Sequence, residues 1–335
     1  VSAARPEPAI ECLALSGGVG GAKLVVGLAR LIAPERLMVV ANTGDDFEHL
    51  GLHVSPDIDT LVYTLAGLAN PATGWGRADE TWTFMAALEA LGGETWFQLG
   101  DGDLAMHVER SRRLRAGESL SAITADLSAR LGIAVRIVPM SDDPVRTVVE
   151  TADGALDFQH YFVRERCAPA VTGFHFSGSE TARPQAQFLD ALADPGLGAI
   201  LICPSNPFIS IDPILALPEV RDRLAACAAP VIAVSPIVGG RAIKGPTAKM
   251  MRELGGPSTA TAVAAHYGEL LDGFVIDRAD ADAADAIRAA GIAVLVTATV
   301  MASLGDRENL ARAVLDFAGE LREHGRPAGE SGRDA

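Results

Sequence analysis

Short, uninterrupted apolar runs recur along this chain, and most of them end in a polar loop. The segments ECLALS (11–16), RLMVVANTGDD (36–46), AVRIVPMSDD (134–143), GAILICPSNPFISIDPIL (198–215), APVIAVSPIVGG (229–240), LLDGFVIDRAD (270–280) and IAVLVTATVM (292–301) share this form. A strand that is apolar at nearly every position has no face to show to water, so it belongs inside a sheet covered on both sides. Amphipathic helical patterns lie among these runs, at 55–68, 79–92, 119–132 and 307–323. Strands alternating with helices predict an α/β fold, a Rossmann-like parallel sheet with helices on both faces. The stretch GALDFQHYFVRERC (154–167) alternates and is expected to be extended.

Ligands of such sheets collect beyond the carboxyl ends of the strands. The loops SGGVGG, NTGDD, LGDGD, MSDD, PSNP and SPIVGG are expected to follow strands and converge on one crevice. The first lies in LALSGGVGGAKLVVGL (13–28), which reads as strand, glycine loop and helix. Glycines let backbone N–H groups close on an anion, and the helix N-terminus that follows favours negative charge. The dinucleotide fingerprint GxGxxG fails here because its third glycine falls on Lys23. The P-loop pattern fails at Ala22 and Leu24. A phosphate cradle of another kind is therefore expected from Ser16, Gly17, Gly18, Gly20 and Gly21, with Lys23 adding a point charge.

Carboxylates crowd the same edge: Asp45 and Asp46 after a strand, Asp57 and Asp59 at the next helix start, then Asp101, Asp103, Asp142 and Asp143. Such crowding costs energy unless a cation is present, and oxygen ligands near phosphate suit Mg²⁺. Asp45, Asp46 and Asp59 are the expected metal ligands, and Asp57 is the candidate helix cap. His107 and Arg110, three apart, share a helix face and suit either an anionic substrate group or a solvated surface pair. Trp75, between two glycines, suits stacking on an aromatic ligand or packing as a lid. Ser205 and Asn206, between prolines, suit reading a base or ribose edge or forming a plain turn.

The chain has 335 residues, of which 49% are hydrophobic, enough for one large α/β domain or two modest ones. We expect one domain over 11–320 with a helical excursion at about 60–132, and flexible tails at 1–10 and 324–335. The net charge of −15 argues against nonspecific binding to nucleic acid or anionic membrane. Cys12, Cys167, Cys203 and Cys227 form no CxxC pair, which fits a reducing cytoplasm. The opening VSAARPEPAIE is not expected to be a signal peptide, and no segment approaches an uninterrupted apolar span of about 20 residues.

Taken in order, LSGGVGGAKL, NTGDD, SPDIDTLVYTLAG, GWGRADETW, LGDGDLAMH, VPMSDDPVRT, CPSNPFISIDPIL and VSPIVGGRAIKGP resemble the 2-phospho-L-lactate transferase family of deazaflavin coenzyme biosynthesis, from about residue 11 to 318. The resemblance implies a Mg²⁺-dependent enzyme, often dimeric, that joins a phosphorylated three-carbon acid to the ribityl hydroxyl of the deazaflavin Fo. The donor is the acid linked through a diphosphate to guanosine, and GMP leaves. On that pattern Ser16 to Gly21 cradle the diphosphate, and Asp45, Asp46 and Asp59 hold the metal or orient the hydroxyl. Asp59 would be the general base, with Asp46 also catalytic. Ser205 and Asn206 would contact the guanosine part, the 74–82 stretch with Trp75 and Gly76, together with Gln98, would lie against Fo, and Pro207 is a further substrate contact. Asn42, Thr43, His107 and Arg110 complete the substrate-contacting set. Two departures stand out: Gly102 and Gln98 occupy positions where the family often carries a basic residue. Phospholactate, phosphoenolpyruvate and 3-phosphoglycerate are all open as the acid. The competing expectation is a nucleotide-sugar-binding regulator without turnover.

Overall fold

The computed structural model describes residues 10–71 and 73–324. The tails expected at 1–10 and 324–335 fall almost wholly outside these residues, although Ile10 is described and is buried in the core. The strands are β1 (Cys12–Ser16), β2 (Leu37–Ala41), β3 (Phe47–His49), β4 (Leu52–Val54), β5 (Arg136–Pro139), β6 (Arg146–Thr151) and β7 (Gly154–Asp157), followed by β8 (Val171–Ser177), β9 (Ala199–Ile202), β10 (Val231–Val234), β11 (Ile237–Val238), β12 (Arg241–Ala242), β13 (Gly273–Asp277) and β14 (Ala293–Thr297). Seven of them form one parallel sheet in the order β14-β13-β10-β9-β1-β2-β5.

The alternation of side chains along each strand divides the core in two. Leu13, Leu15, Met38, Val40, Ile200 and Ile202 pack on one face, while Cys12, Ala14, Leu37, Val39, Ala199 and Leu201 pack on the other. Each leucine or isoleucine buried this way contributes roughly 1.5–3 kcal/mol. This double burial explains why the strands read as continuous apolar runs. Helices α1 (Gly18–Leu31) and α2 (Pro56–Leu65) cover the second face together with the C-terminal helix Leu304–His324. The chain leaves the sheet after β2 and returns at β5, and the excursion also carries α3 (Thr83–Ala90), α4 (Asp101–Arg115) and α5 (Leu120–Arg130).

Some local expectations change. Helix α2 starts at Pro56 with Ser55 in the capping position, so Asp57 sits inside the first turn rather than capping it. The stretch 154–167 is extended only to Asp157; it then winds into a π-helical turn, His160–Arg164, whose Tyr161 is fully buried. Strands β6, β7 and β8 form a separate antiparallel sheet that the apolar-run pattern did not reveal. Only one face of it is buried, so its strands carry no continuous apolar run.

The order of the sheet decides which loops meet. Strand β1 has β2 on one side and β9 on the other, so the loops after β1 diverge around a crevice at its carboxyl end. SGGVGG, NTGDD, PSNP and SPIVGG follow β1, β2, β9 and β10 as expected, and residues from all four line the crevice. LGDGD follows no strand; it opens helix α4 and reaches the crevice from the excursion. MSDD follows the edge strand β5 and turns outward, with Asp142 bound to Ser121 and Asp143 to Arg183. The segment Thr299–Ala302 after β14 joins the crevice without having been anticipated.

Candidate active site

The crevice is a cavity of about 860 Å³. Its floor is the glycine loop. Gly17, Gly18, Val19 and Gly20 face it, and the first-turn N–H groups of α1 have no intrahelical carbonyl to reach. Ser205 pins the start of the loop: its Oγ accepts from Gly17 N at 3.2 Å and donates to Gly17 O at 2.7 Å. Gly20 has to be glycine, because a Cβ there would collide with the backbone carbonyl of Pro204. The close approach locks the loops after β1 and β9 together.

Two carboxylates stand beside this floor. Asp57 Oδ1 accepts from Gly18 N at 2.6 Å, and its Oδ2 accepts from Asn42 Nδ2 at 2.9 Å. The same Asn42 nitrogen also donates to Asp45 Oδ1 and to the Ile209 carbonyl. One amide thus ties two buried carboxylates together, and among the described residues neither carboxylate has a cationic side chain in ion-pair contact. Burial pushes Asp57 up to about 6. Asp45 is held well above the usual carboxylate range by burial and then by the charges of Asp57 and Asp46. Among the described residues no three His, Cys, Asp or Glu side chains form a metal cage. A divalent cation at Asp45 and Asp57 would therefore take its remaining oxygens from substrate or water, as Mg²⁺ commonly does. The unbalanced pair fits such an ion.

The other expected acidic ligands are engaged elsewhere. Asp46 does not line the cavity; its Oδ2 accepts from Ser55 Oγ at 2.8 Å and lies 3.0 Å from His53 Nε2. Asp59 reaches the cavity wall, but Arg110 grips both of its oxygens, with Nη1 at 3.1 Å from Oδ2 and Nη2 on Oδ1. Arg110 is 2% exposed, so the pair is a buried fork-on-carboxylate contact, which leaves Asp59 poorly placed to take a metal or a proton. His107 is 1% exposed and faces the cavity, 3.2 Å from Asp103 Oδ1, which also accepts from Tyr63 at 2.6 Å. Burial alone would raise Asp103, but His107 and Tyr63 hold it below the ordinary value. The surface-pair reading of His107 and Arg110 is thereby replaced by a buried network. Asp101 leaves the site altogether, accepting from Thr81 and from the first N–H groups of α3.

Of the remaining expected residues, Trp75, Gly76, Gln98, Ser205 and Asn206 line the cavity, whereas Ser16, Gly21, Asn42, Thr43, Arg110 and Pro207 do not. Ser16 is buried under the loop, where it fills the space above Gly21. Asn206 spends its side-chain oxygen on Phe208 N at 3.1 Å, opening a π-helical turn over Pro207–Ile211. Gln98 donates to Thr95 O at 2.7 Å. Gly102 lies under Arg77 and Glu80: Arg77 Nη1 donates to its carbonyl at 3.2 Å and Glu80 accepts from its N–H at 2.6 Å.

An aromatic wall was missed at the sequence level. Trp96, Phe97, Phe158 and Phe162 face the cavity, with Phe158 and Phe162 stacked at 5.4 Å and Trp96 4.8 Å from the His160 ring. These residues come from the excursion and from the stretch that leads from β7 into the π-helical turn, segments far apart in sequence. Only the unusual density of Trp and Phe at 96–97 and 158–162 hints at them. Asp57 was underrated for a related reason: a helix-start aspartate is usually a cap.

The strained carboxylates give a pH signature. Unfolded Asp57 ionises near 3.8, whereas the folded group stays protonated to about 6, so between these values the folded chain binds more protons. Stability of the cation-free protein should therefore rise as pH falls from 7 toward 5, by roughly 1 kcal/mol. Scanning calorimetry in chelator would show it as a rising midpoint. A midpoint that falls over this window equally in wild type and in Asp45→Asn would contradict it.

Comparison with known proteins places these features in context. A family model described as 2-phospho-L-lactate transferase CofD matches residues 12–311. The chain is 43% identical over 323 residues to a phosphoenolpyruvate transferase of Kitasatospora aureofaciens, covering 94% of this chain and all of that one. It is 42% identical to one from Streptomyces coelicolor, with the same coverage, and 36% identical to one from Mycobacterium sp. strain KMS, covering 84% of this chain and 92% of that one. A solved UPF0052-family protein of Bacillus halodurans superposes with a TM-score of 0.61 over 92% of this chain and 99% of that one; at 13% identity it shares the fold.

Proposed function

Because this chain belongs to the CofD family of 2-phospho-L-lactate transferases and transfers a phosphorylated acid in coenzyme F420 biosynthesis, we propose that its acceptor is the deazaflavin Fo and its donor a guanosine-diphospho acid, with phosphoenolpyruvate as the acid. The observation that carries this reading is the arrangement of one cavity: an anion-cradling glycine loop, the unbalanced Asp45–Asp57 pair beside it, and an aromatic wall. The names of the relatives favour the enolpyruvyl donor among the three acids.

In this reading the donor diphosphate lies over Val19 and Gly20, whose N–H groups follow the ones already bonded to Ser205 and Asp57, and the helix dipole favours its charge. The planar deazaflavin rests against Trp96, Phe97, Phe158 and Phe162. Its ribityl hydroxyl attacks the phosphorus that bears the acid, the bond from that phosphorus to the GMP oxygen breaks, and GMP departs. Asp45 and Asp57 would hold Mg²⁺, which neutralises phosphate charge when bound. Asn42 and Gly18 N fix the pair, and Asp45 is the carboxylate suited to receive the hydroxyl proton. Reactions of this type depend on positioning and charge neutralisation more than on covalent help. Asp46 and Asp59, expected to be catalytic, take supporting roles: Asp46 braces the β3–β4 hairpin, and Asp59 balances Arg110.

A cytoplasmic homodimer belongs to the same reading. Among the described residues no helix is long and apolar enough to cross a membrane. The test is a mass-resolved assay with purified protein, Mg²⁺, Fo and each guanosine-diphospho acid in turn. The expected result is a deazaflavin heavier by one phosphoenolpyruvyl group, with GMP released. No product from any donor, together with tight binding of a nucleotide sugar, would instead establish the regulator.

A further inference from the structure

The chain carries 28 basic residues, yet only three are lysines: 23, 244 and 249. Lys249 is paired with Glu253 at 2.7 Å. The other two both line the cavity. Lys23 projects from the second turn of α1 and donates to the Met301 carbonyl at 3.0 Å. Lys244 comes from the segment after the β11–β12 hairpin and reaches across to the loop at Gly74, where a Cβ would collide with its ammonium. Among the described residues neither lysine has a carboxylate partner within ion-pair distance. Each adds to the positive charge of this part of the cavity, and Lys23 is held below the usual lysine range by burial, then by Arg307, then by Lys244. Two ammonium groups on one cavity, neither held in an ion pair, suit an anionic ligand, while Asp45 and Asp57 occupy another part of its lining.

The two lysines reach the cavity from different elements. Lys23 is tied to the segment after β14 through the Met301 carbonyl, whereas the Lys244 ammonium lies at the Gly74 loop, and both line the same cavity as Gly17–Gly20. The hairpin that delivers Lys244 is anchored at its turn: Gly239 N donates to the Asp280 carboxylate at 3.0 Å, and Ser258 Oγ donates to Gly240 O at 2.9 Å. Lysine, a compact point charge on a long stem, can follow a flexible diphosphate where a guanidinium fork would demand one fixed geometry.

We propose that Lys244 is a donor-binding residue, closing with Lys23 a two-cation clamp over the donor diphosphate that lies on the glycine loop. The proposal rests on the guanosine-diphospho donor given above and adds a residue from a motif, GGRAIKGP, to which that reading assigns no role. Titration calorimetry with Mg²⁺ would measure GDP and guanosine binding to wild type, Lys244→Gln and Lys244→Arg. Lys244→Gln should weaken GDP by about 10- to 100-fold, the size of a lost charge-assisted contact, and leave guanosine unchanged. Lys244→Arg should keep most of the GDP affinity. GDP binding unchanged by Lys244→Gln overturns the proposal alone. Equal losses for GDP and guanosine overturn it too, and make Lys244 a mere tie to the Gly74 loop. Wild type that binds no GDP overturns the donor reading and this clamp with it.

Discussion

Asp45→Asn should lower the transfer rate by about 10³-fold, the cost of removing one preorganised charge from a phosphoryl-transfer site. It should also make the cation-free protein more resistant to heat. The substitution keeps the shape, and the new amide oxygen can still accept from Asn42, so the loop is preserved. What is removed is a buried charge facing Asp57 and Asp46. Opposite signs for activity and stability are the diagnostic feature: a residue that only packs would lose both. Calorimetry with and without Mg²⁺ gives a second reading, since added Mg²⁺ should raise the wild-type midpoint and leave the variant nearly unmoved. Loss of activity with an undiminished Mg²⁺ shift would move the metal away from Asp45.

Arg110→Met should destabilise the fold by about 3–5 kcal/mol, because it strands the Asp59 carboxylate in a buried place without its cation. For a chain of this size that lowers Tm by about 5 °C. The double variant Asp59→Asn with Arg110→Met removes both charges and should recover most of the loss. That double variant also separates two roles for Asp59. If Asp59 balances Arg110, the refolded double variant retains far more transfer activity than Asp45→Asn does. A loss as deep as that of Asp45→Asn would return the general-base role to Asp59.

These two experiments mark the line between what is legible in the chain and what is not. The sheet was legible because a strand buried on both faces must be apolar throughout, as CLALS and LMVVA are. The glycine loop was legible for an equally local reason: four glycines between a buried strand and an amphipathic helix serve few purposes other than holding an anion. The motif order also carried the family, which spans residues 12–311.

The sequence did not reveal which charges are already balanced. Asp45, Asp46, Asp57 and Asp59 look alike as a string, and their partners lie far along the chain or across a turn. Asp59 meets Arg110 51 positions away, and Asp57 meets Gly18 39 positions away. The aromatic wall is likewise assembled from Trp96 and Phe97 of the excursion, Phe158 just after β7 and Phe162 of the π-helical turn. Periodicity and local propensity act over a few residues, so they settle strands, helices and the cradle. Ion pairing and cavity walls act through space, across whatever elements the sheet order brings together, and only the tertiary structure decides them.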